Sequence, residues 1–90
     1  MYSKQTTVVN KAGLHARPAS EFVMKAKGFT ADVTVRNVDK NGAAANAKSI
    51  ARILGEGLGP GTKIEIAAEG ADEKAAVDAL VALVDSGFGE

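Results

Sequence analysis

The segment Ala31-Asp32-Val33-Thr34-Val35-Arg36 alternates small or branched apolar residues with polar ones. Successive side chains of a strand point to opposite faces of its sheet, so this alternation predicts a strand with one buried face and one wet face. A sheet built from such strands needs a layer of other elements on its apolar face only. We therefore expect the rest of the chain to supply neighbouring strands and that single covering layer.

The residues before this segment predict a strand and then a helix. Tyr2 to Val9 is rich in Thr and Val and ends at the turn-forming residues 10–13, which predicts the first strand. Apolar residues then recur at helical spacing, namely at Ala16, Ala19, Phe22, Val23 and Ala26. Gly28 follows that helix, and we expect it to end the helix with a positive φ.

The residues after the segment predict a hairpin and a short helix. Asn41-Gly42 is a strong hairpin signal and predicts a short third strand through Ala43-Ala44-Ala45. Ser49 to Leu54 predicts a helix of about two turns, which ends at the glycine-rich residues 55–61.

A fourth strand and a long helix complete the chain. The alternation in Lys63-Ile64-Glu65-Ile66-Ala67-Ala68 predicts the strand, and Asp72-Glu73 opens a helix with charges that suit its N-terminal dipole. The buried stripe predicted for this helix consists of Val77, Leu80, Val81, Val84 and Phe88. The order β-α-β-β-α-β-α predicts an α+β fold, in which three helices cover one face of a four-stranded antiparallel sheet.

Composition limits the size and the function of the protein. With 90 residues, of which 46% are hydrophobic, we expect one compact domain that spans residues 1–90. The chain has no cysteine and one histidine, so we expect no disulfide, no metal site and no cofactor. No stretch resembles a signal peptide or a membrane span, and the aromatic residues are only one Tyr and three Phe. We therefore expect a cytoplasmic protein with no membrane insertion and no nucleic-acid partner.

Charge is balanced over the whole chain but not along it. Residues 1–52 contain nine Lys or Arg and three acids, a net charge of +6, whereas residues 53–90 contain two Lys and eight acids, a net charge of −6. Such an asymmetry predicts a basic face that attracts acidic partners or phosphorylated groups, unless folding interleaves the two halves.

The segment Gly13-Leu14-His15-Ala16-Arg17-Pro18-Ala19-Ser20 begins the first predicted helix and contains the single histidine. The first N–H groups of a helix lack internal partners and, together with the helix dipole, attract anions. Ala16 and Arg17 can donate such groups beside His15, whereas Pro18 has no N–H but fixes φ for the first helical turn. Because a proline disfavours the α conformation in the residue before it, we expect Arg17 at the helix boundary with its side chain turned back toward His15.

This arrangement suits a residue that accepts and returns a phosphoryl group. The positive surroundings favour the neutral, nucleophilic imidazole, and the same N–H groups and the Arg17 guanidinium would stabilise the bound phosphoryl group. No base, Walker-type loop or metal cage accompanies the motif, so the site can carry a group but cannot drive its transfer. The ordinary alternative is an exposed His15 near a helix cap with Arg17 as a surface charge.

The segment Gly13 to Ser20 resembles the active-site motif of the HPr family, the histidine-containing phosphocarriers of the bacterial phosphoenolpyruvate-dependent sugar phosphotransferase system. The resemblance extends over the whole chain and includes Lys48-Ser49-Ile50 and Gly70-Ala71-Asp72-Glu73. It implies an open-faced β-sandwich and a stoichiometric carrier rather than an enzyme with its own turnover. It also implies that His15 receives a phosphoryl group on Nδ1 from the phosphohistidine of enzyme I and passes it to enzyme IIA domains, with Arg17 positioning the phosphate.

Ser49 is the second candidate site, and its ordinary interpretation is a helix N-cap. In HPr proteins of the Gram-positive type, the serine in this Lys-Ser-Ile setting is phosphorylated by an ATP-dependent kinase. The resemblance therefore implies regulatory phosphorylation of Ser49, with an HPr kinase/phosphorylase and a catabolite-control transcription factor as candidate partners. The small apolar docking surface that the family places beside its active site would consist of Ser20, Ile50, Ala51, Leu54 and Leu58.

The chain departs from many Gram-positive relatives around Ser49. Ala51 and Arg52 stand where those relatives have methionine and glycine, and the acidic Glu56 lies near the expected docking surface. These departures bear on the kinase and the transcription factor more than on the carrier role. The alternative is a purely regulatory binding module that signals through Ser49 and does not need His15. A small hydrolytic domain ranks behind both, because the motif contains no water-activating base.

Overall fold

The computed structural model describes residues 1–89, and within them the chain forms one four-stranded sheet and three α-helices. The strands are β1 (Tyr2–Thr7), β2 (Asp32–Asn37), β3 (Ala45–Asn46) and β4 (Lys63–Glu69). The helices are α1 (Ala16–Lys27), α2 (Ile50–Gly55) and α3 (Glu73–Asp85), and a 3₁₀ turn follows at Gly87–Gly89. The sheet order is β1-β4-β2-β3 with every neighbouring pair antiparallel. The predicted open-faced sandwich is confirmed.

The alternation read from the sequence sets the two faces of the sheet. Val33 and Val35 on β2 and Ile64 and Ile66 on β4 are buried, and Val35 lies directly opposite Ile66. The residues between them are exposed or half-buried on the open face. The strands therefore present branched apolar side chains to the helices and polar side chains to solvent.

The helices close the core over the buried face of the sheet. Helix α1 buries Phe22 and Val23, helix α3 buries Val77, Leu80 and Val84, and helix α2 buries Ile53. Full burial of side chains of this size stabilises the fold by about 1.5–3 kcal/mol each. No helix in residues 1–89 combines the length and the apolar character that crossing a membrane requires.

The first and third strands differ from the predictions at their ends. Strand β1 ends at Thr7 rather than Val9. The N–H of Val8 still donates to the Thr62 carbonyl in the register of the β1–β4 ladder, but the Val8 carbonyl accepts from Gly61 instead of Thr62, so the regular ladder stops there. The third strand, predicted at residues 43–45, is Ala45–Asn46.

The turn that precedes β3 explains that shift. The backbone carbonyl of Asn37 accepts from Gly42 N–H at 2.9 Å, and its side chain accepts from Lys40 N–H at 3.1 Å. Asn41 has φ +50 within this turn. The two bonds close the turn over residues 37–42 on itself, so pairing with β2 begins only at Ala45.

The helix ends also correct two predictions. Gly28 caps α1 with φ −73 rather than a positive φ, and its N–H donates to the Lys25 carbonyl at 3.1 Å, so the helix ends in a tightened right-handed turn. Helix α3 ends at Asp85, before Phe88, which is nevertheless buried from the 3₁₀ turn at φ +57.

Folding interleaves the acidic and basic halves in part. Ion pairs that join the halves are Lys4 with Asp78, Arg36 with Glu65, and the N-terminal ammonium with Glu73. Helices α1 and α2 keep an excess of positive charge. Together they contain four basic residues and one acid, Glu21. The basic surface predicted from the charge distribution therefore survives mainly on α1 and α2.

Asp72 joins the end of α1 to the start of α3. Its carboxylate accepts from Thr30 N–H at 2.9 Å and from Ala31 N–H at 2.8 Å, across the turn that leads from α1 into β2. The hydrogen bond from the Thr30 backbone is the main cause that lowers the pKa of Asp72 below its ordinary value. The ionised carboxylate thus favours the folded state.

We expect Asp72→Asn to lower the free energy of unfolding at neutral pH and to make that free energy depend less on pH in the acidic range. Because the pKa of Asp72 is lower in the folded state, its contribution is present above the unfolded pKa and is lost as pH falls through the folded value. Urea unfolding from pH 7 to pH 2 measures this, with Glu69→Gln on the exposed end of β4 as the control. Parallel stability curves for the wild type and Asp72→Asn would contradict the assignment.

Candidate functional site

His15 lies where the sequence places it, at the start of α1. It is the N-cap residue with φ −131 and ψ 162, its side chain is exposed, and that side chain makes no capping hydrogen bond. The first turn of α1 contains no acidic residue. The helix therefore begins with unneutralised N–H dipoles next to an accessible imidazole, which is a favourable place for an anion bound to that ring.

The backbone is strained immediately after His15. Ala16 has φ +54, in the left-handed region that costs a residue with a side chain about 1–2 kcal/mol. Such strain persists only where neighbouring contacts hold it, and it is often found at functional sites. Pro18 follows in the first turn of α1, as the sequence predicts, and its side chain is buried.

A closed turn holds the chain before His15. The side-chain amide of the buried Asn10 donates to the Gly13 carbonyl at 2.9 Å, and Gly13 N–H donates back to the Asn10 carbonyl at 3.2 Å. Leu14 N–H then donates to the Leu58 carbonyl at 2.8 Å. The turn is thereby bonded to the loop between α2 and β4. The sequence places Asn10 in this turn but does not predict its side-chain hydrogen bond to Gly13, although an amide side chain can close a turn on its own backbone.

Gly13 is required by this contact. It has φ +66, and a Cβ atom there would lie 2.7 Å from the Leu58 carbonyl oxygen and 2.8 Å from the Gly59 Cα. Both neighbours are backbone atoms, which cannot adopt another rotamer as a side chain can. The glycine therefore allows two loops to meet beneath the His15 segment.

Arg17 does not turn back toward His15, so that prediction is wrong. Its Nη1 lies 2.5 Å from the Oε1 of Glu21, one turn further along α1. The i,i+4 spacing places these opposite charges on one face of the helix, and this ion pair competes with any arrangement over the imidazole. The sequence shows this i,i+4 spacing, but the ion pair with Glu21 was not among the predictions.

Ser49 is the N-cap of α2, as its ordinary interpretation predicts. Its Oγ accepts from Arg52 N–H at 3.4 Å, a long hydrogen bond, and the residue is half-buried. The preceding Lys48 donates its Nζ to the Phe29 carbonyl at 2.8 Å, which ties the start of α2 to the end of α1. The two candidate phosphorylation sites thus lie at the N-termini of helices in the same covering layer.

Four of the five residues predicted to form the docking surface are exposed, and one is not. Ser20 and Ala51 are exposed, and Ile50 and Leu54 expose 40% and 43% of their surface. A shallow groove of about 270 Å³ between α1 and α2 is lined by Ser20, Val23, Met24, Lys27 and Ile50. Exposed apolar side chains around a groove that one basic residue, Lys27, also lines are suited to contact with a protein surface that carries acidic residues.

Leu58 is the exception, and its inclusion in the docking surface is wrong. Its side chain is completely buried in the core, and its carbonyl accepts the hydrogen bond from Leu14. The apolar residue in the glycine-rich loop serves to anchor that loop, a role that local composition does not distinguish from exposure.

Within residues 1–89, no three His, Cys, Asp or Glu side chains come together as a metal would require.

Comparison with known proteins identifies the class to which this fold and site belong. Residues 2–86 match the family described as the PTS HPr component phosphorylation site. The chain is 48% identical over 85 residues to the phosphocarrier protein HPr of Vibrio cholerae, and the aligned region covers 94% of this chain and 96% of that protein. It is 40% identical over 85 residues to the HPr-like protein Crh of Halalkalibacterium halodurans, which covers 94% of this chain and 98% of that protein.

Solved structures agree with this result. The crystal structure of HPr from Thermoanaerobacter tengcongensis superposes with a TM-score of 0.94 and 42% identity, over 100% of this chain and 98% of that one. The chain belongs to the HPr family, the phosphocarriers of the phosphotransferase system.

We expect Gly13→Ala to destabilise the protein and to disturb the His15 segment. The left-handed φ alone costs alanine about 1–2 kcal/mol, and the contact with the Leu58 backbone adds to that cost. Gly59→Ala is the matched control on the opposite side of the contact, because a Cβ there meets open space. Urea unfolding and the His15 ring signals in NMR spectra measure both effects. Equal stability of the two variants would contradict the close-contact explanation.

Proposed function

We propose that His15 carries a phosphoryl group from phosphorylated enzyme I to enzyme IIA domains. The observation that supports this most strongly is the exposed imidazole at the uncapped start of α1, within a chain that belongs to the HPr family. The protein acts as a stoichiometric carrier that needs partners at both steps and has no cofactor. Its carrier unit is one domain of residues 1–90, of which residue 90 lies outside the described residues, and it works in the cytoplasm.

The transfer step needs little from this chain beyond placement. A lone pair on one ring nitrogen of His15 forms the new N–P bond while the N–P bond of the donor histidine breaks, and that electron pair returns to the donor ring. Each ring keeps the proton on its other nitrogen, so atoms and charge balance without a base. Phosphoryl transfer depends on alignment and charge stabilisation. The N–H groups of Ala16 and Arg17 supply the charge stabilisation on this side.

The helical surface that begins at His15 and extends along α1 and α2 suits partners with acidic docking sites. Helices α1 and α2 carry Arg17, Lys25, Lys27 and Arg52. The groove and the exposed Ile50 and Leu54 add an apolar centre to this basic surface. Basic residues on these helices accelerate encounter with acidic partners, and the apolar side chains add affinity once the surfaces meet.

We further propose that Ser49 is a regulatory phosphorylation site for an HPr kinase/phosphorylase. Its hydroxyl is half-buried, and a phosphate there would lie at the N-terminus of α2, where the helix dipole favours negative charge. The same charge would stand beside the basic docking surface and weaken its attraction for acidic partners. A catabolite-control transcription factor is the candidate reader of this modification.

The alternative function is a regulatory module that signals through Ser49 alone. The 38% identity to Crh of Bacillus subtilis, described as the catabolite repression HPr, favours it, and the higher identity to the phosphocarrier of Vibrio cholerae favours the carrier. The two functions differ in whether His15 is needed.

We expect acid-labile phosphate to form on the wild-type protein incubated with phosphoenolpyruvate and enzyme I, and to fall to background in His15→Ala. His15 is the single histidine, so no second imidazole can replace it. Intact mass before and after mild acid measures the label, and circular dichroism confirms that the variant is folded. Label retained in His15→Ala, or none on the wild type, would remove the carrier function.

For Ser49 we expect acid-stable phosphate in the presence of ATP and HPr kinase/phosphorylase, and its loss in Ser49→Ala. Ser3→Ala is the control, because Ser3 is an exposed serine on β1 and does not belong to the docking surface. Loss of the N-cap bond also destabilises Ser49→Ala by about 0.5–1 kcal/mol, which urea unfolding measures. Phosphorylation that persists in Ser49→Ala would place the site elsewhere.

A further inference from the structure

We propose that Glu21 is a positioning residue that holds Arg17 away from His15 in the unphosphorylated protein and releases it when His15 is phosphorylated. The inference deepens the proposed function and rests on it. It concerns how readily His15 takes up and gives away its phosphoryl group.

The geometry provides the holding contact. Nη1 of Arg17 lies 2.5 Å from Oε1 of Glu21, and the two side chains are 65% and 36% exposed. A guanidinium bound in this way is directed along α1, away from the N-cap position of His15. Both side chains are long and reach solvent, so the contact can break without disturbing the core.

A phosphoryl group on His15 would compete for the same guanidinium. It carries more charge than one carboxylate, and arginine binds phosphate oxygens through parallel hydrogen bonds. Arg17 follows His15 by two residues, whereas Glu21 lies four residues further along the helix. Arg17 is therefore close enough in the chain to exchange one anion for the other.

The exchange has a definite thermodynamic consequence. An interaction present in only one of two states favours that state by its own free energy. The pair of Arg17 with Glu21 favours the unphosphorylated protein, so it makes the phosphorylated protein a better donor. Exposed ion pairs are weak, and the expected effect on the phosphorylation equilibrium is about two- to fivefold.

Glu21 is also the one acid within α1 and α2. Its removal raises the positive charge of the docking surface as well as freeing Arg17. The two effects are separated by a double-mutant comparison, because only the holding contact needs Arg17.

The experiment mixes ¹⁵N-labelled wild type with unlabelled Glu21→Gln, a catalytic amount of enzyme I and limiting phosphoenolpyruvate. At equilibrium, intact mass gives the phosphorylated fraction of each protein in the same tube. We expect the ratio of phosphorylated to unphosphorylated protein to be about two- to fivefold higher for Glu21→Gln. Glu69→Gln, which removes an exposed carboxylate from β4, is expected to match the wild type.

The same comparison in an Arg17→Gln background is decisive. We expect the Glu21→Gln substitution to leave the phosphorylation ratio unchanged there, because no guanidinium remains to be held. Equal ratios with Arg17 present, or the same shift in both backgrounds, would overturn the holding role. If the wild type takes up no phosphoryl group at all, the carrier function fails first and this inference fails with it. NMR signals of the Arg17 side chain give a separate test, since they must change in Glu21→Gln even without phosphorylation.

Discussion

The contact between the His15 loop and the loop before β4 is the constraint on which the site depends. Leu14 N–H donates to the Leu58 carbonyl, and Gly13 lets the two backbones approach within a distance that no Cβ would permit. With Leu14 and Leu58 both buried, the core fixes the residue before His15 and leaves His15 itself exposed. The strained Ala16 is tolerated because the chain is held on both sides, by this contact and by the buried Pro18.

Sequence patterns predicted the fold because each element has one buried face. The alternation in β2 and β4 and the helical spacing in α1 and α3 specify which side chains point inward, and the sheet and its covering layer follow. The errors lie where backbone contacts distant in sequence decide. Strand β1 stops where the Val8 carbonyl accepts from Gly61, and β3 starts where the turn closed by Asn37 ends. Composition within a segment carries no information about such partners.

The candidate site was predictable to a similar degree and for similar reasons. The placement of His15 and Ser49 at helix starts followed from local rules for glycine, proline and serine. The burial of Leu58 and the direction of Arg17 did not follow. The burial of Leu58 depends on a loop contact. The Arg17 side chain can reach either His15 or Glu21, and both are close to it in sequence. Local rules name the candidate partners of an arginine, but the distance of 2.5 Å to Glu21 identifies the one that is bound.

The two helix starts also explain how one small surface could serve two signals. His15 leaves the first turn of α1 without a side-chain cap, whereas Ser49 satisfies Arg52 N–H in α2. A phosphoryl group on His15 would therefore meet N–H groups that no side chain caps, while one on Ser49 would first have to replace a hydrogen bond. Both groups would add negative charge to the same basic layer, since Lys48 ties the start of α2 to the end of α1. The proposed regulation by Ser49 would need no change of fold, because added charge alone would alter the attraction of this surface for its partners.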